Sequence, residues 1–156
     1  MCSLLNFFLQ YLGGCYMLQM YSNGLSVEPG NSYALNNITF AKGLTAEHTA
    51  PATVVFNKKG VYLIEVDAYG SATAAGTYGV QVAVNGTPRL DAISMATIPA
   101  VGDLAAVSTK AIVVVPQDNC PCNCYSAPTT VQIINPVEAT ATTDDTHINV
   151  VVTKLC

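Results

Sequence analysis

The clearest pattern in the chain is an alternation of apolar and polar positions on both sides of a small-residue loop, within residues 56–86. Residues 61–68 alternate between two faces. In the second half, one face carries Tyr78, Val80, Val82 and Val84. A period of two with β-branched and aromatic residues is typical of half-buried strands. Asn85-Gly86 follows at once, and both residue types tolerate the positive φ of a tight turn. The stretch predicts two strands, with a hairpin after the second.

Short strand-like runs separated by turn residues continue on both sides of this stretch. Strands are predicted at 26–27, 33–40, 52–56, 90–98, 107–115, 129–134, 137–143 and 147–155, with a turn at Asp144-Asp145. No helix is predicted after residue 21. Eight or more short strands with regular turn signals predict an antiparallel sandwich or barrel.

Several of the predicted strands are apolar on both faces, as residues 111–115 and 150–152 are. The outer face of a monomeric sandwich is expected to be polar. Charged residues make up only 10% of the chain, against about 25% in an ordinary soluble domain. The 156 residues therefore favour one domain whose outer surface meets another protein, as in an oligomer or a lattice.

The charged and catalytic residue types exclude several classes of function. The net charge is −4 and the six Lys and Arg residues are scattered, so no nucleic-acid partner is expected. The strand region contains no run of 18 apolar residues, so no membrane partner is expected. Two His and ten dispersed carboxylates suit acid–base catalysis poorly, and no phosphate loop or hydrolase motif occurs. The sequence predicts no enzyme and no cofactor.

The first residues differ from the rest because residues 1–21 carry no charge. We interpret residues 1–22 as an apolar arm that docks on a partner, and residues 23–156 as the folded domain. The expected anchors of the arm are Leu4, Leu5, Phe7, Phe8, Leu9, Tyr11 and Leu12. Two alternatives stay open. The segment forms the first strand or helix of the domain, or Leu12-Gly13-Gly14-Cys15 is a lipoprotein cleavage box with a lipidated Cys15.

The most specific local feature is a cluster of three thiols, Cys120, Cys122 and Cys124, with Cys156 as a candidate fourth. Thiols are zinc ligands, but this spacing is not the C-x2-C of common structural zinc sites. A disulfide such as Cys120–Cys124, or a link to Cys156, is the second interpretation. Free buried thiols, which behave as small hydrophobic side chains, are the third.

Two groups of carboxylates are weaker candidates. His147 follows Asp144-Asp145, which suggests a cation site, although a solvated acidic turn is the favoured interpretation. Glu65 and Asp67 share one face of a strand. They mark either its solvent face or a ring around a symmetry axis.

Three motifs together resemble the tumour-necrosis-factor/complement-q-like jelly rolls. They are Phe56-x3-Gly60-Val61-Tyr62-Leu63-Ile64, the strand 80–86 that ends in Asn-Gly, and the strand 129–135 followed by a terminal strand at 148–154. The resemblance covers residues 24–156. It is closest to the C-terminal trimer of bacillus collagen-like spore-surface glycoproteins and to related phage head proteins. It implies an all-β antiparallel jelly-roll sandwich of about 8–10 strands, forming a compact homotrimer that does no chemistry.

The short arm decides between the branches of this resemblance. The spore glycoproteins carry a collagen-like Gly-x-y tract upstream, and this chain has the apolar arm instead. The resemblance therefore implies a homotrimeric capsid decoration or head-fibre protein on the surface of a virion. Its partners are itself and the major capsid protein or another shell protein. The alternatives are a spore-surface protein, or an adhesin whose loops at 71–77, 99–106 and 117–128 bind a glycan or a receptor.

Overall fold

The computed structural model describes residues 17–43, 46–116 and 128–155, with the backbone alone at 46–49. These residues form ten strands and no helix. The strands are β1 (Met17–Leu25), β2 (Asn37–Lys42), β3 (Ala46–Ala50), β4 (Thr53–Phe56), β5 (Gly60–Ala72), β6 (Gly76–Val84), β7 (Thr87–Ile98), β8 (Ala105–Val115), β9 (Thr129–Ile134) and β10 (Thr143–Lys154).

The strands form two five-stranded sheets. The first sheet has the order β2-β1-β10-β5-β8 and the second the order β3-β4-β9-β6-β7. All neighbouring strands are antiparallel. The chain passes back and forth between the two sheets, so strands that are distant in sequence become neighbours. The predicted antiparallel jelly-roll sandwich is confirmed.

The core lies between the sheets and is filled by the alternating residues that the sequence pattern indicates. Tyr62, Ile64 and Val66 of β5 point inward from the first sheet and are buried. Tyr78, Val80 and Val82 of β6 point inward from the second sheet and are also buried. Burial of each such side chain stabilises the folded state by about 1.5–3 kcal/mol. This layer therefore supplies most of the driving force for folding.

The predicted hairpin after β6 is confirmed by its backbone. Asn85 has φ of 50° and Gly86 has φ of 76°, the left-handed values of a two-residue hairpin turn. The side chain of Asn85 also accepts a hydrogen bond from the backbone N–H of Thr130 at 2.8 Å. The turn therefore joins β6 to β7 and at the same time holds the start of β9.

Three local predictions are wrong. Residues 137–142 form a turn and a loop, and only Thr143 of the predicted strand belongs to a strand. Their backbone does not join a strand ladder, because the N–H groups of residues 140 and 141 both donate hydrogen bonds to the carbonyl of Thr77. Residues 26–27 and 33–36 lie outside strands. Asp144-Asp145 lies inside β10, where an irregular register takes the place of a turn.

The predicted arm and the sheet overlap. Met17–Ser22, assigned to the arm from the sequence, forms part of β1 and pairs with β10, with Met17 opposite Thr153. The seven predicted anchor residues lie outside the described residues, as do all six cysteines, including Cys120, Cys122, Cys124 and Cys156. The division into an arm and a domain stays a prediction, and the part of the arm that precedes the sheet is residues 1–16.

The topology gives the sandwich two distinct ends. At the end we call the Met17 end, Met17 lies opposite Thr153, and Gly60 lies opposite Val115. The other end, which we call the Leu25 end, carries the last residues of β1 and β5 and the first residues of β8 and β10. β1 therefore begins at the Met17 end.

Candidate functional site

The outer face of the first sheet carries exposed apolar and aromatic side chains. In β8, Val113 and Val115 point into the core, while Ile112 and Val114 point outward and are 54% and 66% exposed. In β5, Tyr69 points outward and is 54% exposed. The sequence-based prediction that residues 111–115 are apolar on both faces corresponds to this arrangement. The outer face divides into two halves along the strands.

The half nearer the Met17 end is an aliphatic surface. Val61 lies directly opposite Val114, and Leu63 lies directly opposite Ile112 across the β5–β8 pair. Side chains at such opposed positions are close enough to form one continuous surface. We call Val61, Leu63, Ile112 and Val114 the apolar patch. A contiguous apolar patch of this kind is typical of a surface that contacts another protein.

Polar pairs separate the two halves. The carboxylate of Glu65 lies 2.6 Å from the ammonium group of Lys110, its cross-strand neighbour. The hydrogen bond and then the charge of Glu65 raise the pKa of Lys110 above its ordinary value. On the adjoining strands the side-chain amide of Gln19 donates to Asn149 Oδ1 at 3.0 Å. Glu65 therefore takes part in an ion pair on the outer face.

The half nearer the Leu25 end contains a cavity of about 520 Å³. Its wall comes from four strands, because β1, β10, β5 and β8 lie side by side. The polar and aromatic lining residues include Tyr21, Asn23, Asp67, Tyr69, His147 and Asn149. We call this cavity the outer-face pocket.

The imidazole of His147 forms one side of this pocket. It lies parallel to the ring of Tyr69, with ring centroids 4.7 Å apart and an interplanar angle of 5°. Its Nδ1 lies 2.8 Å from Asn23 Oδ1, and its Nε2 lies 3.8 Å from Asp145 Oδ1. An amide oxygen only accepts, so Nδ1 carries the proton of that hydrogen bond. These contacts hold the rings of Tyr69 and His147 in one orientation.

Asp67 contributes a negatively charged side chain to the pocket. Its side chain is exposed and has no hydrogen bond or ion pair with the described part of the chain, although Lys110 is near enough to feel its charge. Asn23 and Asn149 each use the amide oxygen in a contact, and both NH2 groups stay without a partner among the described residues. The pocket thus combines a carboxylate acceptor with amide donors and aromatic rings.

The sequence prediction identified part of this site. It named Asp67 and His147, and the structure brings them to one pocket. The suggested cation site at Asp144, Asp145 and His147 is not supported, since no group of three or more metal-ligating side chains occurs among the described residues. Tyr21, Asn23 and Tyr69 were missed. The available signal was the alternation of residues 61–67, which extends to Tyr69 on the same outward face.

Neither a membrane-spanning helix within the described residues nor a relative in sequence was found. Within the described ranges, no helix has the length and apolar character needed to cross a membrane. No protein-family model and no curated protein matches the sequence.

Solved structures do match the fold. The globular domain of zebrafish complement 1qA protein covers 90% of this chain and 98% of its own, with a TM-score of 0.62 at 8% identity. The match to murine APRIL covers 90% of this chain and 99% of APRIL, with a TM-score of 0.58 at 14% identity. The match to PRD1 vertex protein P5 covers 92% of this chain and 100% of the vertex protein, with a TM-score of 0.56 at 15% identity. Identities this low show the fold alone. The chain has the jelly-roll fold of these structures, as the sequence resemblance implied.

Proposed function

We propose that the protein is a non-enzymatic structural component of a bacteriophage particle: a homotrimeric capsid decoration or head-fibre protein, fastened to the shell by its N-terminal arm. The observation that carries the self-association is the exposed apolar patch. One of the similar structures is a vertex protein of PRD1, and it supports the assignment to a virion.

The apolar patch supports self-association on energetic grounds. Its four aliphatic side chains lie together on one face of the sheet, and Ile112 and Val114 are more than half exposed in the single chain. Full burial of such a side chain is worth about 1.5–3 kcal/mol, so covering the patch stabilises an assembly by several kcal/mol per subunit. Identical subunits that bury one surface favour closed symmetry, and the resemblance implies three of them.

The topology supports an orientation for the attached trimer. Residues 1–16 directly precede Met17, and Met17 lies at the same end of the sheet as the apolar patch. An arm that grips a shell from this end turns the Leu25 end away from the shell. Burial of even three of the large apolar anchors contributes on the order of 5 kcal/mol per subunit, and three linked arms bind far more tightly than one.

The test of this function is attachment with and without the arm. Full-length chain and a chain that lacks residues 1–16 are each added to source particles from which the protein has been removed. We expect the full-length chain to co-sediment at a fixed ratio to the major shell protein, and the shortened chain to remain a folded, free trimer. A shortened chain that still decorates the particles contradicts the role of the arm. A full-length chain that never sediments with particles contradicts the virion assignment.

An adhesin is the second candidate, and one exposed turn favours it. Val101 and Leu104, between β7 and β8, are 69% and 74% exposed at the Leu25 end. Asp103 braces this turn, because its carboxylate accepts from the N–H of Ala100 at 3.1 Å and its own N–H donates to the Ala100 carbonyl. A braced apolar turn directed away from the shell suits contact with a host receptor. Loss of host-cell binding by particles with Val101→Asp and Leu104→Asp tests this role.

A further inference from the structure

Charged side chains are segregated between the two ends of the sandwich. The described side chains of the Met17 end include four lysines and no carboxylate: Lys42, Lys58, Lys59 and Lys154. Those of the Leu25 end include six exposed carboxylates and no Lys or Arg: Glu28, Asp67, Asp103, Glu138, Asp144 and Asp145. The described side chains therefore give the Met17 end a positive charge, although the whole protein has a net charge of −4.

Strand pairing brings the four lysines together from three parts of the chain. Lys42 lies opposite the first residue of β1, and Lys154 is the last residue of β10. Lys58 and Lys59 are exposed in the turn that precedes β5, and the first residue of β5 lies opposite the last residue of β8. We call these four residues the lysine cluster.

The two ends are too far apart for their charges to cancel locally. Lys154 follows Asp144 by ten residues on the same strand. A strand rises by about 3.3 Å per residue, so the two residues are about 30 Å apart. Charge interactions are screened over about 8 Å at physiological ionic strength. A surface that approaches the Met17 end therefore meets the field of the lysine cluster.

We propose that the Met17 end docks on an acidic surface of the shell protein. The proposal rests on the proposed function, in which the arm attaches the protein from this end, and it specifies the chemistry of the partner. Complementary charge on two surfaces speeds their encounter and orients it. The acidic Leu25 end is repelled by the same surface, so the protein approaches the shell with its arm in front.

Self-association through the apolar patch leaves this end available. The patch lies on the outer face of β5 and β8, whereas Lys58 and Lys59 lie in a turn beyond the ends of the strands. A contact through a sheet face covers the side chains that project from that face. The turn lies beside such a contact, so each subunit of the assembly presents its own pair of lysines.

An acidic protein surface suits this end better than another anion does. Residues 1–16 are uncharged and rich in large apolar side chains, so the partner must offer an apolar groove beside its carboxylates. A nucleic acid presents continuous negative charge without such a groove, and it repels a protein whose net charge is −4. Anionic membranes attract runs of about four to eight basic residues, and this end has two in sequence.

The test measures the rates of attachment to stripped, nuclease-treated source particles held on a biosensor surface. We expect the association rate of the full-length chain to fall about tenfold between about 50 mM and about 500 mM sodium chloride, because salt screens the attraction. The dissociation rate, which the apolar arm sets, should change less. An association rate that is independent of salt overturns this proposal alone. The absence of any attachment at low salt overturns the proposed function together with it.

Paired variants locate the contact. Lys58→Gln with Lys59→Gln removes two positive charges at the Met17 end and is expected to slow association about fivefold at low salt. Ala74→Asp with Ala75→Asp makes the same change in net charge in an exposed turn at the Leu25 end and should leave the rate unchanged. Lys58→Arg with Lys59→Arg keeps both charges and should attach at the wild-type rate. Equal slowing by the glutamine and aspartate pairs contradicts docking through the Met17 end.

Two competing anions separate the possible partners. Double-stranded DNA and phosphatidylglycerol vesicles are added to the attachment assay in turn, and neither is expected to slow the association of the full-length chain. Competition by either anion that is lost in the Lys58→Gln, Lys59→Gln chain assigns the lysine cluster to a nucleic acid or a lipid and overturns the assignment to a shell protein. Sedimentation and circular dichroism check that every variant keeps the assembly and sheet content of the wild type.

Discussion

Asn135 accepts a hydrogen bond from the backbone N–H of Gly79 at 3.2 Å, across 56 residues of sequence. Its amide nitrogen donates to the carbonyl oxygens of Val27 at 3.0 Å and of Ala141 at 3.2 Å. Asn135 is fully buried. One side chain thus ties β6 to the loop after β1 and to the loop before β10, and it supplies partners for buried backbone groups that lie outside the strand ladders.

We predict that Asn135→Leu lowers the free energy of unfolding by about 3 kcal/mol. Leucine has a similar size but removes the partner of the Gly79 N–H and of the Ala141 carbonyl, and each such loss costs about 1–3 kcal/mol. The carbonyl of Val27 still accepts from the N–H of Thr143. Chemical denaturation followed by circular dichroism measures the change. Asn57, in an exposed turn, provides the control, and Asn57→Ala is expected to change the stability by less than about 0.5 kcal/mol. Equal stabilities of the two variants would show that the amide network is dispensable.

A second prediction concerns Tyr33, whose hydroxyl donates to the carbonyl oxygen of Gly79 at 2.7 Å inside the core. Burial, and to a smaller extent repulsion by Tyr78, raises the pKa of Tyr33 above its ordinary value of 10.0. The unfolded chain therefore releases this proton at a lower pH than the folded chain does. The stabilising contribution is complete below pH 10 and is lost as the pH rises further.

The measurement for Tyr33 is the unfolding free energy of wild type and of Tyr33→Phe across neutral and alkaline pH. At neutral pH the variant should be less stable by about 1–2 kcal/mol, because the carbonyl of Gly79 loses a buried partner. Above pH 10 the difference should narrow, since the variant lacks the ionising group. Tyr21→Phe, on the outer face, controls for the substitution itself. A difference that is constant over the whole range would contradict the ionisation argument.

A third prediction concerns Gly79, where β6 packs closely against β7. A Cβ atom at Gly79 would collide with the backbone carbonyl oxygen of Ser94 on the paired strand. Backbone atoms of a strand pair cannot move apart without breaking the ladder, so Gly79→Ala should destabilise the fold by several kcal/mol. Thermal unfolding checks this. Unchanged melting would mean that β6 and β7 have room to separate at this point.

A fourth prediction concerns the apolar patch. The double substitution Ile112→Glu and Val114→Glu should convert the proposed trimer into monomers, because two carboxylates per chain cannot be buried without partners. Analytical ultracentrifugation measures the mass, and circular dichroism checks that the sheet content is retained. The matched control is Leu90→Glu with Val101→Glu, which alters residues that are 81% and 69% exposed elsewhere. A control that also dissociates would place the contact on another surface.

The sequence pattern predicted those features that depend on neighbouring residues. Alternation along β5 and β6 is a local property of an extended backbone, and the core residues of both strands follow from it. The positive φ of Asn85 and Gly86 is a local preference of those two residue types. The outward position of Asp67 follows from the same period.

The tertiary structure decided the features that depend on which strands become neighbours. Residues 137–142 were predicted as a strand because their composition suits one, but their backbone bonds to Thr77 and lies beside the amide of Asn135. The role of Asn135 was not predicted, because its partners are Gly79, Val27 and Ala141 and two of these are distant in sequence. A first strand in the N-terminal segment was one open alternative, but its place between β2 and β10 did not follow from the sequence, because pairing with β10 joins residues that are far apart in the chain.

The outer-face pocket shows the same division. The sequence alone determined that Asp67 and Tyr69 project from one side of a strand, because side chains alternate along an extended chain. Only the order β1-β10-β5-β8 placed Asn23 and His147 beside them, from opposite ends of the sequence. Strand order results from the packing of two whole sheets around one core, and no local pattern of residues encodes it.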